Sequence, residues 1–275
     1  MYRIVKLFSG DETNPFDREL MVYPEGGKPR VCELNIYYKK LQNISLGDGE
    51  LRADSFSNRF RGEVATLWER IFTHPFLVEI GAAVLPLDKF RFYVKQDYAY
   101  LIEFARCLGI AAAKAGDRET MRIFSSLLNA SLTIEVEMLE SLGEKLGISP
   151  SDLRSTEFAP TNIAYTRHLL YVAYSGTVGE IIAALLPCMW TYQEIGERLG
   201  ESEALRRHAI YSEWCATYRS KEYIELVNWY RDLADRFASE SGSSVRKKMR
   251  GHFLLSSRYE YMFWDMAYRQ ETWPL

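Results

Sequence analysis

Residues 86–108 read PLDKFRFYVKQDYAYLIEFARCL, and the spacing of the large side chains in that stretch decides the fold. Phe90, Tyr93, Val94, Tyr98, Leu101, Ala105 and Leu108 recur three or four residues apart, the interval at which side chains return to one face of an α-helix. Pro86 stands in the first turn, where a missing amide costs nothing because that amide has no intrahelical partner. The stretch therefore predicts a long, buried helix. The same period extends from it in both directions.

Upstream, Phe60, Val64, Leu67, Trp68 and Ile71 form one face of a helix from Ser55 to Thr73, which His74-Pro75 should end. Downstream, Asp117 is placed to cap a helix through Ile123, Leu127, Leu132, Ile134, Met138 and Leu142 that stops near Gly147. After a Ser149-Pro150 turn, helices are predicted from Thr161 to Tyr174 and from Thr177 to Leu199. Pro187 should interrupt and kink the second of these and expose carbonyls beside Cys188. Three more are predicted near 205–217, 221–240 and 244–270, with Ser239 to Ser244 as a break. No alternating strand pattern competes after residue 55. The reading is all-α, an up-and-down bundle of seven or so helices, a format that builds ligand sites between facing helices.

Residues 1–54 differ from the helical domain of 55–275. They hold Pro15, Pro24, Pro29, Gly26-Gly27, Gly47 and Gly49, with β-prone runs such as Arg30 to Tyr38. This N-terminal extension has three readings: a small β-rich appendage, a flexible arm, or a start assigned too early.

Composition narrows the function. A hydrophobic fraction of 47% with 26% charged residues is ordinary for a globular protein. A net charge of −3 gives no general attraction to nucleic acid. The one basic cluster, Arg246, Lys247, Lys248 and Arg250, reads as a solvated helix face. The most apolar segment, Ile181 to Trp190, falls short of the roughly 20 residues that span a bilayer, and Met1 to Gly10 has no export signal. Four cysteines (Cys32, Cys107, Cys188, Cys215) lie far apart with no CxxC pair, which fits reduced thiols in the cytoplasm. There is no phosphate-binding or dinucleotide glycine motif, no HExxH and no Gly-x-Ser-x-Gly, and the four histidines are scattered. ATP, nicotinamide, metal and haem are not indicated.

Three segments put chemistry on apolar, aromatic faces. Asp97 shares a helix face with Tyr93 and Tyr100. A carboxylate there needs a partner, either a structural ion pair or the amino group of a ligand. Cys188 and Tyr192 stand one turn apart in Leu185 to Tyr192. A lone thiol on such a helix reads first as inert core, since reactivity requires a lowered pKa and access, and Cys107 and Cys215 keep that reading. Glu260 projects near Phe263 and Trp264, where burial would raise its pKa toward the range of a general acid, with a pair to Arg258 or another base as the plainer alternative.

Together these segments resemble the TenA (thiaminase II) family over about residues 56–275. The resemblance rests on Trp68, His74-Pro75-Phe76, Tyr93 to Tyr98, Pro160 to Tyr165, Cys188 to Tyr192, Trp214 to Tyr218, and Tyr259 to Tyr268. It implies a haem-oxygenase-like fold. Cys188, in a Pro-Cys-x-Trp setting, makes the chain similar to the cysteine-containing branch. The implied activity is that of an aminopyrimidine aminohydrolase or thiaminase II in thiamin salvage. Its substrate would be an aminopyrimidine or thiamin, with no cofactor, no nucleic acid or membrane partner, and a homotetrameric assembly. By the same resemblance Cys188 is the nucleophile, Glu260 the acid, and Asp97 the group that holds the pyrimidine amine. Tyr100, Tyr165, Tyr192, Tyr218 and Phe263 would line the pocket. Two other classes remain: a non-catalytic pyrimidine-binding or regulatory protein, and a related oxidative enzyme of the same fold. For the latter, the first helix lacks a histidine to serve as an axial ligand.

Overall fold

The computed structural model describes residues 2–4, 22–24 and 55–274, and the chain separates into two units, Met1–Asp48 and Gly49–Leu275. In the first, β1 (Tyr2–Ile4) pairs antiparallel with β2 (Val22–Pro24), with Arg3 opposite Tyr23. The β-prone run from Arg30 to Tyr38, and Cys32 with it, lie outside the described residues.

The described part of the second unit is helical throughout. Its elements are α1 (Phe56–Glu63), α2 (Ala65–Phe72), α3 (Pro75–Gly81), α4 (Leu87–Lys114), α5 (Arg118–Ala130), a π turn (Ser131–Glu135), α6 (Val136–Lys145), α7 (Pro150–Arg154), α8 (Pro160–Ser175), α9 (Val178–Leu199), α10 (Glu203–Arg207), α11 (Ala209–Tyr218), α12 (Lys221–Glu240) and α13 (Ser243–Arg269). The helix predicted from residues 86–108 is α4, 28 residues long, with Pro86 one position outside it as the N-cap.

Local chemistry explains the boundaries. Asp117 accepts the Thr120 amide at 2.8 Å and opens α5. Thr177 and Glu180 form a reciprocal capping box at the start of α9. The α6 end turns through Gly147 at φ 73°, a left-handed conformation that glycine adopts without strain. Some elements are more divided than predicted. The first helix breaks at Val64, and the 205–217 helix breaks at His208. His74-Pro75 ends one helix and also starts another, because His74 Nδ1 accepts the Phe76 amide at 3.2 Å and proline suits the first turn. Ser149-Pro150 likewise opens α7 with a capping box. The expected interruption at Pro187 is absent, and α9 stays helical through it to Leu199.

The reason α9 tolerates its proline is burial: every residue from Gly179 to Gln193 is buried. A helix apolar on all sides belongs in the middle of a bundle. It packs most extensively on α13, and also meets α4, α8, α11 and α12. Each fully buried large side chain contributes about 1.5–3 kcal/mol. The basic cluster at the start of α13 is exposed, as read from sequence.

One close approach positions the site. A Cβ at Gly196 on α9 would lie 2.9 Å from Tyr218 Cβ and 3.0 Å from the Arg219 amide nitrogen. Only hydrogen at this position lets α11 seat Tyr218 against α9. Gly196→Ala is therefore expected to push α11 outward and lower stability by about 1–3 kcal/mol, measured as a lower urea midpoint. An unchanged midpoint would contradict the close seating.

Candidate active site

Five helices bring the predicted site together. Tyr93, Asp97 and Tyr100 come from α4, Tyr165 from α8, Cys188, Thr191 and Tyr192 from α9, and Glu260 and Phe263 from α13. Tyr218 on α11 closes one side, its ring centroid 4.8 Å from that of Tyr192. Tyr100 and Tyr165 lie 5.1 Å apart, and Tyr100 and Phe263 5.6 Å apart, on the other side. All the site residues predicted from sequence are buried.

Each carboxyl group is held by neutral hydroxyls. Tyr93 Oη donates to Asp97 Oδ2 at 2.9 Å, across one helical turn as the spacing implied. The same oxygen accepts from Trp214 Nε1 at 3.1 Å and lies 3.2 Å from Tyr192 Oη, so all its hydrogen-bonding capacity is used. Glu260 Oε1 accepts from Tyr165 Oη at 2.6 Å, and its Oε2 lies 3.2 Å from the Thr191 hydroxyl. Among the described residues neither acid has an ion-pair partner. The structural ion pairs considered for Asp97 and Glu260 are thus replaced by tyrosine hydroxyls.

Burial without a cation pushes Asp97 up to about 7 and Glu260 up to about 7, the hydroxyl bonds offsetting part of that effect. Burial also raises the Cys188 thiol well above its ordinary value, with Glu260 and Glu135 nearby acting in the same direction. The lowered thiol pKa associated with reactive cysteines is therefore not found here, because the surrounding groups are acids and phenols. Cys107 is pushed up to about 12, chiefly by burial, and Cys215 is buried and raised too, in keeping with inert core thiols. The buried Tyr100 hydroxyl lies beside Tyr165 and Cys188, and its interaction with the thiol offsets a small part of the rise caused by burial.

Glu135 was not read from the sequence. It is 5% exposed and ends the π turn, and burial pushes it up to about 8, with Asp97 adding to the effect. Leu132, placed on the buried face by the sequence reading, is 41% exposed, and Ile134 and Met138 are only half-buried. The π turn is the cause. Ile123, Leu127, Ser131, Glu135, Leu139 and Gly143 are all buried at a strict interval of four, whereas an α-helix needs intervals of three and four to stay on one face. The wider π turn absorbs the drift and carries a glutamate inward. Two polar residues at successive positions of that interval were the available signal.

The fold and site of the second unit define a helical bundle that encloses a thiol among protonatable carboxyl groups and tyrosines. A model of the TENA/THI-4/PQQC family matches residues 61–270, and the chain belongs to that family. It is 39% identical over 219 residues to an aminopyrimidine aminohydrolase of Halalkalibacterium halodurans, covering 80% of this chain and 98% of the relative. It is 38% identical to the aminopyrimidine aminohydrolase of Bacillus subtilis, over 79% of this chain and 92% of the relative. A solved TenA homologue from P. horikoshii OT3 superposes with TM-score 0.73 at 36% identity, covering 78% of this chain and 99% of that one. A Shewanella denitrificans domain described as having a heme oxygenase-like fold superposes with TM-score 0.65 at 13% identity, over 77% of this chain and 91% of that one. The haem-oxygenase-like fold expected from the sequence is the fold observed.

The raised acids have a consequence for stability. A carboxyl whose folded pKa lies above its unfolded value adds stability that is complete below the ordinary carboxylate range and is lost as pH rises through the folded pKa. For Asp97 that window ends near 7. Asp97→Asn should consequently gain stability over the parent as pH rises from about 5 to about 8, by on the order of 1–3 kcal/mol. Urea midpoints at the two pH values check this, and a difference that does not change with pH would contradict it.

Proposed function

We propose that this chain hydrolyses a 4-amino-2-methylpyrimidine at its 5-methylene carbon, releasing an amine or the thiazole of thiamin and leaving the 5-hydroxymethyl compound. The observation that carries the reading is a buried thiol flanked by two carboxyl groups poised near neutrality, on helices that also supply aromatic walls. The relatives named for aminopyrimidine hydrolysis support it.

In this reading Asp97 accepts from the 4-amino group of the ring, with Tyr93 holding its other side. Tyrosine and phenylalanine rings bound the flat substrate. A thiol adds best here if no charge is created, because among the described residues the site has no cation to balance a thiolate. Adding S–H across the ring bond between N1 and C6 meets that condition. The sulfur bonds to C6 while Glu260 gives its proton to N1 and takes up the proton of Cys188. With a pKa near 7, Glu260 is suited to move a proton in either direction at neutral pH. The reduced ring then expels the substituent from the 5-methylene carbon as an exocyclic double bond forms. Water adds to that carbon, the ring electrons return, the C6–S bond breaks, and N1 and sulfur recover their original protonation. Position fixing by Asp97 and the tyrosines contributes the orientation such a sequence requires.

The same reading has the enzyme working in the cytoplasm as a homotetramer, with residues 1–54 an appendage outside the chemistry. Tyr171 and Tyr174, exposed on α8, offer ring faces for self-association. The test is release of ammonia from 4-amino-5-aminomethyl-2-methylpyrimidine. Cys188→Ser should lose at least about 1,000-fold in turnover yet still bind the pyrimidine, since a hydroxyl is a far weaker nucleophile. Asp97→Asn should raise KM and lower kcat together. Full activity in the Cys188 variant would refute covalent catalysis, and binding without turnover in the parent would favour a regulatory protein.

A further inference from the structure

The proposed sequence leaves one step without a protein group: protonation of a departing amine and deprotonation of the water that replaces it. An amine leaves a carbon poorly as an anion, so a proton donor must face the 5-methylene substituent. The two acids already assigned are committed to other edges of the ring, Glu260 to N1 and Asp97 to the 4-amino group.

Around the ring, N1 is followed by C6, C5 and C4. If Glu260 faces N1, Cys188 faces C6 and Asp97 faces the C4 amine, then a group on the wall between Cys188 and Asp97 faces the substituent on C5. Glu135 is the remaining buried acid close enough to interact with both Asp97 and Cys188. It is buried at the end of the π turn, a segment packed against α4, the helix of Asp97. It feels the charge of Asp97, and its own charge is felt by Cys188 and by Tyr218 and Tyr223 on α11 and α12. Glu260 is held instead from α8 and α9, through Tyr165 and Thr191. The two glutamates therefore approach the thiol from different walls. Among the described residues Glu135 has no ion-pair partner. A buried acid costs stability unless something offsets it, and π turns recur at functional sites.

Resting on the hydrolase reading above, the geometry points to Glu135 as the acid and base that serves the leaving group. As the C–N bond breaks, Glu135 gives its proton to the nitrogen and ammonia departs. The incoming water then bonds through oxygen to the methylene carbon and returns a proton to the Glu135 carboxylate. The sum is amine plus water to alcohol plus ammonia, with Glu135 unchanged. A thiazolium leaving group carries its positive charge already and departs as neutral thiazole, so it needs no proton from Glu135.

That difference supplies the test. Wild type and Glu135→Gln are compared in single turnovers on the aminomethylpyrimidine and on thiamin, reading the released leaving group so that the later water step does not enter. General acid catalysis is worth about 100- to 10,000-fold. Ammonia release in the variant should fall by at least 100-fold, and thiazole release by less than about 10-fold. Equal losses on both substrates, or none on either, would overturn the assignment, since a structural role has no reason to sense the leaving group. If the glutamine variant fails to fold, Glu135→Asp carries the same comparison, with the loss again confined to the amine. Wild-type protein that releases neither group would overturn the hydrolase reading itself, a result distinct from an active wild type with an insensitive variant.

Discussion

Carboxyl groups kept from water, with no cation beside them among the described residues, are the constraint on which the rest of this site depends. Asp97, Glu135 and Glu260 share one interior with Cys188, and burial is the first cause of the raised pKa of each. In water such acids would be ionised at neutrality and unable to give up protons. Inside the bundle they are held near the pH at which they must act. The tyrosine and threonine hydroxyls matter because they satisfy the carboxyl oxygens without fixing a charge, as an arginine would. The thiol is affected by the same field, and so must react with its proton moving to a neighbour.

The bundle is arranged to maintain that dryness. The fully buried α9 carries the thiol, and the helices around it each contribute a wall: α4 with Asp97, α8 with Tyr165, α11 with Tyr218, α13 with Glu260. Small residues set the distances, most clearly Gly196, where α11 comes close enough to seat Tyr218. Stability and function oppose one another here, since buried acids lower the first to permit the second. The large aromatic content of the chain provides both the packing that compensates and the pocket walls.

Much of this was legible in the sequence. The period from Phe90 to Leu108 revealed α4, Asp117 and Thr177 marked helix starts, and the faces carrying Asp97, Cys188 and Glu260 were evident from their aromatic neighbours. Three features were not. Pro75 is read as a stop and Ser149-Pro150 as a turn, although proline fits a first turn equally well, so α3 and α7 were missed. Pro187 was expected to interrupt α9, but burial on all sides outweighs one lost hydrogen bond. The π turn escaped because the 3.6-residue period is assumed in assigning faces, and a single wider turn moved Leu132 out and Glu135 in. The partners of the acids were also hidden, since tertiary contacts between Tyr165 and Glu260, or Trp214 and Tyr93, leave no mark on local spacing.

The most direct test of the central claim is an infrared titration of the carboxyl groups in the wild-type protein, beside Glu260→Gln. Protonated and ionised carboxyls absorb at different frequencies, so the protonated population can be followed as pH rises. The account predicts a protonated signal that persists at about pH 6, falls as pH rises through about 7, is lost only above about 8 where Glu135 ionises, and shrinks in the variant. Complete ionisation of every carboxyl group at about pH 6, with the protein folded, would contradict it.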